Sequence, residues 1–200
     1  MAISAVWTLV SDYFAQPKKS GVKNLKLLIL LDTQQYEITF KTKQSYLQVP
    51  GWVGREMGIS FRTTASKAVI FYQAHLDSTT TYFKAEIQSE KEVSFEYSLL
   101  GRRNRISISS GHCLNCGQWQ HIWIERAEYQ MRVNINQNSR IMYLGKNEKF
   151  IDFDGKLFVG GAPLEYLKGR KITTGYIGCL RGLVFDSEVI DLHRYLDSKR

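Results

Sequence analysis

Between Phe83 and Leu99 the chain alternates apolar and polar residues with a period of two. Phe83, Ala85 and Ile87 share one parity against Lys84, Glu86 and Gln88. Val93, Phe95, Tyr97 and Leu99 repeat the pattern against Ser94, Glu96 and Ser98. That period belongs to β-strands, whose successive side chains point to opposite faces. The polar Ser89-Glu90-Lys91-Glu92 between the two runs predicts a hairpin. Each strand is expected to bury one face and expose the other, which predicts an antiparallel sheet.

The remaining segments fit that grammar. Strands are predicted at Val6 to Val10, Leu25 to Leu31, Tyr36 to Phe40, Tyr46 to Val49, Met57 to Arg62 and Ala68 to Gln73. Ala68 to Gln73 is apolar on both parities, as expected of a central strand. Gly101 to Arg105 reads as a basic turn before a short strand at Ile106 to Ser109. Trp119 to Glu125, Tyr129 to Ile135 and Ile141 to Leu144 follow, and Leu157 to Leu192 is a set of short strands broken by glycine. No stretch has the length or period of a helix. Residues 1–200 are expected to form one all-β domain, a two-sheet antiparallel β-sandwich.

Charge and cysteine narrow the function. The formal charge is +8, from 27 Lys plus Arg against 19 Asp plus Glu. A basic surface draws anionic partners, or simply keeps a protein soluble. Nucleic acid would call for exposed aromatics among the basic residues, whereas the aromatics here fall on the core parity. Trp119, Trp123, Tyr129 and Phe158 are expected to pack, and His121 to be a structural histidine. No run is long enough for a membrane-spanning helix, so no direct membrane insertion is expected. The cysteines are Cys113, Cys116 and Cys179. Cys113 and Cys116 have metal or redox spacing but lack the further ligands of a zinc site. A local disulfide or two free thiols is expected there.

Four pieces resemble the laminin G-like (LNS) domain family, found in laminins, neurexins and contactin-associated proteins. Ile59-Ser60-Phe61-Arg62-Thr63 is similar to its ISFxFRT strand, and Val69-Ile70-Phe71-Tyr72 to its GLLLY strand. Gly117-Gln118-Trp119-Gln120-His121 with Ile124-Glu125-Arg126 resembles DGxWHxVxxxR, Cys116 standing where the aspartate is usual. Leu157 to Pro163 with Gly175 to Leu183 resembles LYVGGxP…GFxGCIRxL, and Ile190-Asp191-Leu192 the closing DL.

The resemblance implies a jelly-roll sandwich and a non-enzymatic, extracellular recognition module of a secreted or single-pass membrane protein. Its partners would be cell-surface or matrix proteins, heparan sulfate or other acidic glycans. It also implies calcium at a rim, with Asp77 and Asp152 as ligands, Asp154 as second choice and a backbone carbonyl near Ser94. Glycan contacts are expected from two predicted turns, Arg102, Arg103 and Arg105 in one and Lys168, Arg170 and Lys171 in the other. The family's usual partner for Cys179 is missing, because no cysteine lies between Cys116 and Cys179. Cys179 therefore pairs with Cys113 or Cys116, or stays free. The alternative is a lectin or glycoside-active protein on the same kind of sandwich.

Overall fold

The computed structural model describes residues 36–196 apart from 77, 79, 146–147 and 168–174. The predicted strands at Val6 to Val10 and Leu25 to Leu31 lie outside the described residues. In chain order the strands are β1 (Ile38–Phe40), β2 (Leu47–Val49), β3 (Glu56–Thr63), β4 (Ala68–Ala74), β5 (Tyr82–Ser89), β6 (Glu92–Leu99) and β7 (Arg102–Ser109). They continue with β8 (Gln120–Arg126), β9 (Gln130–Ile135), β10 (Asn138–Tyr143), β11 (Leu157–Val159), β12 (Gly178–Phe185) and β13 (Glu188–Val189). Described helix is limited to one turn at Leu164–Leu167 and a 3-10 turn at Leu192–Tyr195.

The strands form two antiparallel sheets. One runs β1-β12-β3-β8-β9-β10, with β13 paired to β12; the other runs β2-β11-β4-β5-β6-β7. Their inner faces build one core from Phe61, Ile122, Ile124 and Leu180 on the first sheet and Phe71, Phe83, Phe95 and Val159 on the second. Ile70 and Phe71 both reach it because a bulge lies between Val69 and Phe71. Strand β4 sits between β11 and β5 and is buried along its whole length, as its apolar run requires.

Two expectations fail. The polar parity of β5 and β6 is not exposed: Lys84, Glu86, Ser94 and Glu96 are all buried. The charges tolerate this by pairing, Lys84 Nζ lying 3.1 Å from Glu86 Oε1 and 3.8 Å from Glu96 Oε1. Arg102, Arg103 and Arg105 do not form a turn. The turn is only Leu100-Gly101, both at positive φ (48° and 85°), a two-residue hairpin whose twist lets β7 begin at once.

Tyr176 locks β12 to β3. Its ring meets Phe40 edge-on at 5.9 Å. Its hydroxyl accepts the Arg62 N–H at 3.0 Å and donates to the carbonyl of Arg62 or Cys179, at 2.8 and 2.9 Å. Burial drives its pKa far above the usual phenol value. Gly178 lets these strands close up: a Cβ there would lie 2.1 Å from the Arg62 carbonyl oxygen.

Candidate functional site at the loop rim

Strand register gathers six connections at one end of the sandwich. Leu157 pairs with both Val49 and Gln73, Ala74 with Tyr82, and Leu99 with Arg102. On the other sheet Glu56 pairs with Glu125, Met57 with Phe185, and Gln130 with Tyr143. The described residues of the rim are therefore those of 50–55, Leu100-Gly101, 127–129 and Asp186-Ser187, together with 75–76, 78, 80–81, 144–145 and 148–156.

One buried amide fastens two of these loops. Gln73 Oε1 accepts the Trp52 N–H at 3.1 Å. Its Nε2 donates toward the carbonyls of Trp52, Phe153 and Gly155 at 3.3, 3.0 and 3.1 Å. Arg126 stands over the Trp52 ring at 5.0 Å and donates to the Ile151 carbonyl at 2.8 Å and to the Asp152 carboxylate. Asp186 Oδ1 accepts the N–H groups of Arg55 and Glu56 at 2.9 and 2.7 Å. Tyr97, whose pKa burial raises, accepts the Ile151 N–H at 3.0 Å. A cleft of about 370 Å³ opens among Arg55, Arg126, Glu128, Phe150 and Asp152.

Beside this frame stand exposed apolar tips. Leu100 is 82% exposed and Leu76 is 60% exposed. The Leu100-Gly101 turn is tied to the far end of the loop that carries Leu76: the Leu100 N–H donates to Thr81 Oγ1 at 3.1 Å and Gly101 N–H to the Thr80 carbonyl at 3.2 Å. Arg102 pairs with Glu148 on the rim, and Arg103 and Arg105 follow, exposed, along edge strand β7.

The sequence-predicted ligands meet this geometry unevenly. Asp77 lies outside the described residues, as do Lys168, Arg170 and Lys171. Asp152 is engaged by Arg126. Asp154 Oδ1 accepts the Leu76 N–H at 2.5 Å and lies 2.9 Å from His75 Nδ1. Ser94 sits in mid-strand, between Glu86 and Ser107, so its carbonyl belongs to the sheet and not to the rim. Among the described residues no group of three His, Cys, Asp or Glu side chains is placed to hold a metal ion. Of the described acids, Asp152 thus meets a guanidinium and Asp154 a histidine.

Cys113 and Cys116 form a disulfide, and Cys179 is a buried free thiol. Its sulfur lies 3.3 Å from Arg62 Nη2 and 3.5 Å from Thr39 Oγ1. The loop bridge is tied to the core by the buried Leu114. Of the four aromatics expected to pack, Tyr129 does not: it is half exposed at the rim, with Lys149 Nζ 5.5 Å from its ring centroid. Trp123 packs on Val184 outside the main core, and Phe158 belongs to a second cluster with Tyr72. Trp119 carries two arginines, Arg181 at 4.0 Å and Arg62 at 4.9 Å from its ring centroid.

The Laminin G domain family profile matches residues 61–188, well over half of the chain. The chain belongs to the laminin G domain family. Neurexin-4 of Drosophila melanogaster is 24% identical over 168 residues, which cover 82% of the chain and 12% of that relative. The laminin G chain thus spans a small fraction of this relative's length. Domains LG4-5 of the mouse laminin alpha1 chain share its fold, with a TM-score of 0.66, 23% identity and coverage of 82% of this chain and 45% of that one. The Ruminococcus gnavus IT-sialidase CBM40 bound to alpha2,6 sialyllactose is similar at a TM-score of 0.55 and 12% identity, covering 80% and 94%. At these identities the structural likenesses speak to fold alone. Among the described residues no helix is long and apolar enough to cross a membrane.

Sequence reasoning missed Trp52, Gln73, Tyr176 and Arg181 as organising residues. Leu100 was within reach: a second leucine placed directly against a glycine turn, Leu99-Leu100-Gly101, has no core to enter.

Proposed function

We propose that this laminin G domain is an extracellular recognition module that contacts its partner through the loop rim. The supporting observation is the pairing of exposed Leu76 and Leu100 with Arg102 and Arg103 on a frame fixed by Gln73, Asp186 and Arg126. Apolar tips beside arginines are the composition of a protein-binding patch. The partner is a cell-surface or matrix protein, and Arg102, Arg103 and Arg105 extend the contact to a sulfated glycan such as heparan sulfate. Family membership supports the adhesive role and the extracellular setting.

Calcium enters this reading at one place, Asp77 with Asp152. An ion there has to draw Asp152 away from Arg126, so weak binding is expected. Calorimetry with calcium showing no saturable heat removes the ion from the proposal.

The chain of residues 1–200 is expected to bind immobilised heparin, and Arg102→Ser with Arg103→Ser and Arg105→Ser to elute at lower salt. Leu100→Asp is expected to weaken binding to cells while leaving heparin retention in place. Unchanged behaviour of both variants would overturn the rim as the contact surface. The second reading, a carbohydrate-binding sandwich, draws on the fold likeness to the sialidase CBM40.

A further inference from the structure

The outer face of the six-stranded sheet holds charges that are buried more deeply than a sheet alone can bury them. Lys84 and Glu86 are only 4% and 2% exposed, and Ser94 and Glu96 are buried beside them. Register sets Lys84 opposite Glu96 and Glu86 opposite Ser94, on the parity away from the core residues Phe83, Ala85 and Phe95. Strand side chains stand perpendicular to their sheet, so an open face leaves the ends of a lysine and a glutamate in water. Among the described residues, the turn at Leu164–Leu167 reaches this face, with the Tyr166 ring 5.7 Å from Tyr72 on β4 and 5.4 Å from Phe158 on β11. The cover extends further, over β5 and β6. It stops before β7, where Arg103 and Arg105 stand on the same face opposite Ser98 and Glu96 and are exposed.

The chain buries these groups without a partner molecule, so the cover belongs to the chain. Length decides which part supplies it. Residues 77, 79 and 146–147 are gaps of one or two positions at the rim. Residues 197–200 follow the 3-10 turn, which lies against β2. Four residues reach about 14 Å, whereas β2 to β6 is about 19 Å. Residues 168–174 leave from beside Phe158 and return where the Tyr176 N–H donates to the Gly160 carbonyl, so both ends stay near β11. Three strands out to β6 and three back need about 29 Å, and that loop spans about 28 Å fully extended, with nothing left to rise over the sheet. Residues 1–35 lead into β1. A Cβ at Gly160, just after β11, would lie 2.5 Å from the Phe40 ring, so β1 is on the β2–β11 side of the sandwich. From there the passage round the edge to β5 needs about 30 Å, or about nine extended residues, which leaves most of the segment for the face.

We infer that residues 1–35 dock across the outer face of β4, β5 and β6 and add a third layer to the sandwich. The chemistry of the two surfaces agrees. The face offers Val69, Tyr72 and Tyr82 as apolar ground, and the segment brings the apolar runs Val6 to Val10 and Leu25 to Leu31. The face sets two carboxylates, Glu86 and Glu96, against one amine, Lys84. The segment sets four lysines, Lys18, Lys19, Lys23 and Lys26, against Asp12 and Asp32. A net negative face thus meets a net positive segment, and the apolar runs remove water from the Lys84 network. The docked face is separate from the loop rim, so this inference and the rim reading can each fail alone.

The test pulses the 1–200 chain with acetic anhydride and reads lysine acetylation by mass spectrometry. Lys84 is expected to react roughly tenfold or more slowly than the exposed Lys41 and Lys91. Val6→Asp with Val10→Asp, or Leu28→Asp with Leu30→Asp, is expected to raise the Lys84 rate by roughly tenfold or more. Amides of β3 and β8 should keep their hydrogen-exchange protection in that variant, which separates release of the segment from loss of the fold. In the unaltered chain, amides within 1–35 are expected to exchange slowly. Full-rate exchange throughout 1–35 while Lys84 stays protected would overturn the assignment whatever the variants do. So would a Lys84 as reactive as Lys91 in the unaltered chain, or a Lys84 still protected in both variants. Protection of Lys84 that fades on dilution would give the cover to a second copy and overturn docking within one chain.

Discussion

At the scale of single residues, His121 shows what the parity of a strand can and cannot say. Its period places it beside Trp119 and Trp123, and as a structural histidine it is satisfied: Ser60 Oγ lies 2.8 Å from its Nδ1 and its backbone N–H donates to Asn136 Oδ1 at 2.9 Å. What the sequence does not disclose is Arg181, which arrives from a strand sixty residues later. Burial first, and then that guanidinium, hold the imidazole pKa below its ordinary value of 6.5. The unfolded chain therefore takes up the proton at a higher pH than the folded one. His121 leaves the fold undisturbed above the ordinary value, and stability is lost as pH falls from there toward the depressed folded pKa. Urea unfolding at about pH 7.5 and about pH 5.5 should show that loss in the native chain and a smaller one in His121→Asn, which keeps a polar partner for Ser60. Identical pH slopes for the two proteins would mean that the imidazole is not held neutral.

At the scale of elements, one strand residue fastens two of the rim loops to each other. Gln73 closes the inner end of β4 and holds the backbone at Trp52, Phe153 and Gly155. Replacement by leucine leaves the Trp52 N–H and two carbonyls buried without partners. Each such group costs about 1–3 kcal/mol, so Gln73→Leu is expected to lose about 3 kcal/mol or more in denaturant unfolding. Amides of 50–55 and 150–156 should then exchange faster while those of β5 and β6 keep their relative protection. Uniform weakening across the domain would argue that the amide serves the core and not the loops. The same strand shows why the fold was legible in the sequence and the rim was not. Period two and glycine breaks are local, so they disclose β4, β5, β6 and β9 directly. Gln73 reads as the last polar residue of an apolar run, and its value depends on carbonyls about eighty positions away. Arg102 to Arg105 was misplaced for a related reason: clustered charge reads as a turn, whereas positive φ at Leu100 and Gly101 had already made it.

At the scale of the whole molecule, the central strands β4, β5 and β6 of the six-stranded sheet bury both faces, and the second face is mixed in character. Tyr72 stacks on Tyr82 at 5.5 Å, with Phe158 and Tyr166 in the same cluster. Next to it, the Tyr82 hydroxyl donates to Glu96, and Gln88 Nε2 donates to Glu86 Oε2 at 3.1 Å and Ser94 Oγ at 3.0 Å. Among the described residues, Lys84 is the cation that pairs within this set, against Glu86 and Glu96. Such a group adds less to stability than its charges suggest, because desolvation opposes the attraction. It does fix register. Lys84 lies opposite Tyr72 on one side and Glu96 on the other, and sliding β5 by one residue would turn Lys84 and Glu86 into the core among Phe71 and Phe95. The strand order of the sheet and the alignment of the loops at its rim are thereby coupled to one buried amine. Lys84→Met strands two carboxylates and is expected to destabilise by about 3–5 kcal/mol. Lys84→Met with Glu86→Leu and Glu96→Leu removes the charges together and should recover most of that loss, while amide exchange in β4 to β6 becomes less uniform as register loosens. Urea unfolding and hydrogen exchange on the two variants separate the contributions. A triple variant as unstable as Lys84→Met would show that the network is a net source of stability, and uniform exchange in it would show that apolar alternation alone holds the register.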